Sequence, residues 1–210
     1  MKKTFETPYD YHAILQLLVA KGKEMFHPGY DIADIDRAPI LRLITYFLQD
    51  ESLADHLGID LYKGLIITGP VGCGKTAIMR IIRSLLPPNK RFPIRSCREI
   101  SLEFMREGYM VISRYSKQCL DPYSGTPRPS CFDDLGLEPD VHYFGNSMNV
   151  MAEILFHRYD LFMEEHMLTY LTTNMNGEEL EARYGNRLRS RLRQMCNLIA
   201  FSPDSKDKRC

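Results

Sequence analysis

Gly69-Pro70-Val71-Gly72-Cys73-Gly74-Lys75-Thr76 decides the fold: it fits G-x-x-x-x-G-K-[ST] and stands between a short apolar run and an amphipathic helical pattern. The run is Leu65-Ile66-Ile67-Thr68, which reads as a short buried strand. The pattern after it sets Ile78, Ile81, Ile82, Leu85 and Leu86 on one face and Arg80 and Arg83 on another, until Pro87-Pro88 stops it. A strand, a glycine-rich turn and a helix opening on Lys-Thr form a phosphate-binding P-loop. The glycines let backbone N–H groups close around phosphate oxygens, and the helix N-terminus adds its dipole. Gly69 to Ala77 are therefore the expected ATP-binding residues, with Lys75 on the β- and γ-phosphates and Thr76 on Mg²⁺. Cys73 inside the loop reads as a small filler or as an oxidisable thiol.

Moving outward, short apolar runs alternate with helices, which is the arrangement of a mostly parallel sheet covered on both faces. Phe92 to Arg95 reads as a strand, and Ser96 with Glu99 makes a capping box for a helix ending at Gly108. A proline-rich loop, Asp121 to Pro129, leads into a three-residue strand, Ser130 to Phe132. Asn146 or Ser147 is expected to cap a long helix through Met151, Ile154, Leu155 and Phe162, and Met167 to Thr172 returns as a strand. Asn176 caps a short helix ended by Gly185, Asn186 caps a second, and Asn197 to Phe201 is the last strand.

Before Tyr62 the pattern is helical, with Ile14, Leu15, Leu17 and Leu18, then Ile40, Leu41, Leu43, Ile44, Phe47 and Leu48, the two stretches parted by Pro28-Gly29. The expected division is a helical N-terminal region, 1–62, and a P-loop core, 63–210.

Composition excludes several classes. The 210 residues carry 44% hydrophobic and 26% charged side chains, which suits a folded globular chain rather than a disordered one. Net charge is zero and the pI about 7.0, so contact with nucleic acid must come from local patches. Cys73, Cys97, Cys119, Cys131, Cys196 and Cys210 show no C-x-x-C pair, and the histidines lie at no zinc-ligand spacing, so free thiols and no structural metal are expected. The opening Met1-Lys-Lys-Thr lacks the apolar region of a signal peptide, and no run approaches the roughly 20 apolar residues of a membrane span. A cytoplasmic protein is expected.

Phe132-Asp133-Asp134-Leu135-Gly136 supplies the acidic strand end that a P-loop needs. Asp133, the first acid after the strand, is assigned to Mg²⁺, and Asp134 to the attacking water as general base. A plain turn is the competing reading. Asn174, after Leu171-Thr172-Thr173, is placed to hydrogen-bond the attacking water or the γ-phosphate, or merely to make an Asx turn. Further on, Arg187 and Arg191 lie about 40° apart on one helix face, while Arg189 and Arg193 face elsewhere. That row suits an arginine finger, a set of DNA phosphate contacts, or a solvated face.

These four elements in this order resemble the AAA+ ATPases of the DnaC/IstB group, bacterial helicase loaders and insertion-sequence helper ATPases, over roughly Tyr62 to Phe201. The resemblance rests on the loop, on Phe132 to Gly136, on Thr172-Thr-Asn174, and on Tyr184-Gly-Asn-Arg-Leu-Arg-Ser-Arg-Leu192. It implies a parallel sheet in AAA+ order, Asp133 and Asp134 as the Walker B pair, Asn174 as sensor I, and Arg191 as arginine finger with Arg187 as a second arginine. It further implies ATP-dependent self-assembly into a ring or spiral, single-stranded DNA in its centre, and a DnaB-type helicase or a transposase as client. Only Ser202 to Cys210 follow the last expected strand, so the helical lid of a typical AAA+ module, and its arginine, are expected to be absent. Two alternatives share the P-loop: a small-molecule or nucleotide kinase, which needs a substrate-binding insertion and a lid with paired arginines, and a nucleotide-gated interaction module with little turnover.

Overall fold

The computed structural model describes residues 7–143 and 145–208, so Cys210 and the first six residues of the leader reading lie outside the described residues. In chain order the elements are α1 (Tyr11–Met25), α2 (Arg37–Leu48), α3 (Glu51–Leu57), β1 (Gly64–Thr68), α4 (Lys75–Leu85), β2 (Ile94–Ser96), α5 (Cys97–Glu107) and α6 (Met110–Tyr115). There follow β3 (Ser130–Leu135), β4 (Val141–Tyr143), β5 (Asn146–Met148), α7 (Val150–Glu165), β6 (Thr169–Thr173), α8 (Gly177–Met195) and β7 (Cys196–Ala200).

Short polar side chains start the helices. Asp10 accepts the Ala13 N–H, Asp50 the Leu53 N–H and Ser96 the Glu99 N–H, while Asn176 and Glu179 form a full capping box. The long helix α7 is capped by Asn149, not by Asn146 or Ser147. Those two residues belong to β5, which pairs antiparallel with β4 in a hairpin that the apolar pattern does not reveal. At Gly185 the backbone turns to φ 81°, so α8 is two helical segments joined at a kink, as the glycine suggests.

The main sheet has the order β2-β3-β6-β1-β7, and the β1–β6, β6–β3 and β3–β2 pairs are parallel. Counting only its own strands, β1 lies between the fourth and the fifth. The parallel register brings the C-terminal ends of β1, β6 and β3 to one edge, and at that edge the chain leaves β1 for the glycine loop. Strand β3 runs to Leu135, three residues beyond the expected end.

Two compact units divide the chain, and neither is continuous in sequence. One gathers the described residues within 1–62, 69–91 and 199–210, the other residues 63–68 and 92–198. In the first, α1 packs against α2 and α4, and Leu18, Ile40, Leu43, Ile78 and Met79 are buried. The second is built on Ile66, Phe132 and Leu171 of the sheet, with Ile100 and Phe104 of α5, Ile154 and Leu155 of α7, and Leu188 and Leu192 of α8 around them. Arg158 lies wholly buried there. Its guanidinium donates to Thr169 Oγ1 (2.8 Å) and to the carbonyls of Tyr115 (3.0 Å) and Leu168 (2.7 Å). No helix among the described residues is long and apolar enough to cross a membrane.

Candidate functional site

The loop after β1 turns on three glycines at positive φ: Gly69 (154°), Gly72 (80°) and Gly74 (100°). Residues with a Cβ rarely adopt these angles, which is why the motif places glycine there. Gly74 is the N-cap of α4, and Lys75 is its first residue, followed by Thr76 and Ala77. The Lys75 side chain is only 5% exposed and folds back over the loop, where Nζ donates to Gly69 O and Pro70 O, both at 2.8 Å. Val71 stands exposed at the tip. Cys73 is fully buried with its Sγ 3.7 Å from Lys75 Nζ, and burial raises its thiol pKa against the pull of Lys75. A buried, protonated thiol is the small filler rather than the oxidisable group.

The acidic pair stands on β3. Asp133 is 8% exposed, and its Oδ1 accepts the Thr172 hydroxyl of β6 at 2.6 Å. The same hydroxyl oxygen accepts the Asp134 N–H at 2.9 Å. Asp134 itself takes φ 58°, at a register break of the β3–β6 ladder between Phe132 and Leu135. A left-handed non-glycine residue costs about 1–2 kcal/mol and persists where its surroundings hold it. Here Thr172 holds Asp134 N from one side, and Thr173 Oγ1 donates to Leu135 O at 2.7 Å on the other.

Thr172 has no role in the sequence reading beyond its place in a motif. The signal for it is a pair of adjacent threonines at the end of a strand that is buried throughout. Glu138 was also missed. It is 3% exposed and accepts the Gly136 N–H (2.8 Å) and the Tyr184 hydroxyl of α8, while Arg183 donates to the Glu138 carbonyl (2.9 Å) and to Asp140. Burial and the Glu138 carboxylate together push the Tyr184 phenol far above its ordinary pKa, so it stays a donor. The segment after β3 is thereby tied to the first half of α8.

Asn174 follows the last residue of β6, and the turn there is made by Thr173, whose Oγ1 accepts the Met175 N–H at 3.1 Å. The Thr68 hydroxyl at the end of β1 donates to Met175 O (2.8 Å), which fixes the two strand ends together. In the second half of α8, the Arg191 guanidinium lies 5.0 Å from the Phe156 ring centroid and 4.6 Å from that of Tyr159, with Nη1 3.7 Å from Asp160, all on α7. Arg187 stacks on Phe156 as well, at 5.8 Å. Arg189 pairs with Glu181 and, with Arg193, Thr68, Asn176 and Leu192, lines a cavity of about 610 Å³. Thus Arg187 and Arg191 share one face and Arg189 and Arg193 another, as helical spacing requires.

The residues present suit the groups the motifs imply. Loop glycines with the Lys75 ammonium beside them match a polyphosphate, and a nearly buried carboxylate at a strand end offers the hard oxygen that Mg²⁺ takes.

A parallel sheet in this order, with a glycine loop after the first strand and acids on the third, defines a P-loop α/β fold of the AAA+ type. No family model matches the chain, and no curated protein matches its sequence. Solved structures do. The fold is similar to the crystal structure of the DnaC helicase loader, at TM-score 0.53 and 14% identity, over 83% of this chain and 94% of that one. The structure of DnaI matches at 0.55 and 20% identity, over 81% and 87% of the two chains. AMPPCP-bound DnaA from Aquifex aeolicus matches at 0.52 and 18% identity, over 85% of this chain and 50% of that chain.

Proposed function

We propose that this chain binds ATP with Mg²⁺ on the loop Gly69 to Ala77, hydrolyses it, and works as an AAA+ ATPase of DNA replication, as a helicase loader or a related helper on DNA. The observation that carries the reading is the edge of the sheet. Asp133-Asp134 lie in the last three residues of β3 and Asn174 follows β6, its parallel neighbour, while β1, parallel to β6, leads directly into the glycine loop. In this reading Lys75 binds the β- and γ-phosphates, Thr76 and Asp133 hold Mg²⁺, Asp134 takes the proton of the attacking water, and Asn174 orients it. AMPPCP on DnaA and the loader role of DnaC, each under 25% identical, support nucleotide and replication respectively through shared fold.

Arg191 acts in trans in this reading, on the ATP of a neighbouring copy in a ring or spiral, with Arg187 beside it. To do so it must leave its seat on Phe156 and Tyr159, which gives the assembly a reason to respond to a neighbour. The clients are single-stranded DNA and a DnaB-type helicase or a transposase.

Phosphate release with and without single-stranded DNA tests the reading. DNA-stimulated release that vanishes in Lys75→Ala supports it, whereas ATP-dependent phosphorylation of a small molecule points to a kinase. Tight binding without release points to a nucleotide-gated module. For Arg191→Ala, turnover falls about 10³-fold with binding intact, and part of it returns on mixing with Lys75→Ala subunits. Parent-like turnover in Arg191→Ala removes the finger assignment.

A further inference from the structure

Residues 202–208, which follow β7, run back along the glycine loop. The Lys208 N–H donates to Gly72 O at 3.0 Å. A Cβ placed on Gly72 would stand 2.0 Å from Asp207 Oδ1 and 2.2 Å from its Cγ, so the Asp207 carboxylate packs against the bare α-carbon. The Lys208 stem lies 3.6 Å, and its ammonium 3.7 Å, from the corresponding point on Gly74, and Phe201 Cβ is 2.7 Å from that on Gly69. Gly72 and Gly74 thus have this segment as their neighbour, and Gly69 has the residue that leads into it.

The segment is pinned by an acid distant in sequence. Asp36, at the turn before α2, is 0% exposed, and its two oxygens are divided between Ser205 Oγ and Lys208 Nζ, each at 2.6 Å. Lifting the segment would leave a buried carboxylate without either partner, an arrangement that proteins avoid. Asp207, meanwhile, sets a negative charge where the loop is to receive a polyphosphate, and like charges at close range repel.

We infer that residues 202–208 form a strap, latched by Asp36, that closes the phosphate loop and must unlatch before nucleotide enters or leaves. The inference rests on the phosphate-binding reading of the loop. Entry and release are then gated by one event, so that loosening the latch speeds both. The latch sets how long the strap stays on the loop.

The test is stopped-flow fluorescence of a methylanthraniloyl-ATP with Mg²⁺ on the full chain. The combined variant Asp36→Asn, Ser205→Ala, Lys208→Ala opens the latch without stranding a charge, and Asp207→Ala removes the negative charge while leaving the Asp36 latch in place. The latch variant is expected to raise both association and dissociation rates at least about tenfold, the factor that corresponds to 1.4 kcal/mol. Asp207→Ala is expected to raise association without raising dissociation. Binding by the variants where the parent binds nothing also supports the strap. Parent rates in both variants overturn it, as does slower association or lost affinity, which would make the segment part of the nucleotide site. If parent and variants alike bind no nucleotide, the phosphate-binding reading fails and the gate fails with it.

Discussion

The loop Gly69–Gly74 and the strand end Phe132–Gly136 both bend the backbone to positive φ beside groups assigned to ATP chemistry, and they do so by different means. The loop uses glycine, for which φ near 80° or 100° carries no steric penalty. At the strand end Gly136 also turns, at φ 103°, but Asp134 before it reaches φ 58° with a side chain, which costs strain and is held by the Thr172 and Thr173 hydroxyls of the adjacent strand. A feature built from glycine is local and shows in the sequence. One built from an ordinary residue depends on partners elsewhere in the chain, and shows only when the chain is folded.

Substituting across that contrast separates backbone from chemistry. The largest effect is expected for Asp134→Gly, where glycine accepts φ 58° but supplies no carboxylate: phosphate release falls about 10² to 10⁴-fold while stability stays within about 0.5 kcal/mol of the parent. Release at the parent rate would reduce Asp134 to a turn residue. Lys75→Ala comes next, with ATP affinity down about 100-fold, near 2.7 kcal/mol, in fluorescence titration. An unchanged titration would sink the cradle reading of the loop. Thr172→Val keeps the shape and removes the hydroxyl, and with it the hydrogen bonds to Asp133 Oδ1 and Asp134 N; a loss of about 1–3 kcal/mol in urea unfolding is expected. A loss below about 0.5 kcal/mol would mean that water replaces the hydroxyl. The smallest effect is the difference between Asp134→Ala and Asp134→Gly, about 1 kcal/mol in favour of glycine. Equal stability would show that the strand end relaxes out of the left-handed region.

Much of the fold is legible in the sequence for the same reason that the loop is. The loop lies between β1 and α4 where strand, glycines and helix pattern place it, and Asn176, Gly108 and Gly185 mark helix boundaries through their own chemistry. Strand β3 reads too short because Asp133-Asp134 looks like a turn, and what makes it strand is Thr172, 39 positions away. Asn149 loses the cap of α7 to Asn146 and Ser147 in the reading, since the β4–β5 hairpin that claims those residues leaves little apolar trace. In the site, the loop residues and the acidic pair are nominated by local pattern, whereas Thr172 and Glu138 are not, because their partners lie on other elements. Residues 202–208 read as the mere remainder after the last strand, yet they meet Asp36 across separations of 169 and 172 positions.

Those separations bear on how the molecule is made. During synthesis the helices α1 and α2, the turn that carries Asp36, and the glycine loop all leave the ribosome long before Ser205 and Lys208 do. Contacts so far apart in sequence are the slow ones to form, since the loop they close must first be ordered. Asp36 therefore stays without its Ser205 and Lys208 partners until those residues have been made. Residues 63–68 and 92–198, by contrast, hold the parallel pairs β1–β6, β6–β3 and β3–β2 and are available for collapse earlier. The nascent chain should accordingly gain protease resistance in two stages, with the glycine loop among the last segments to be protected.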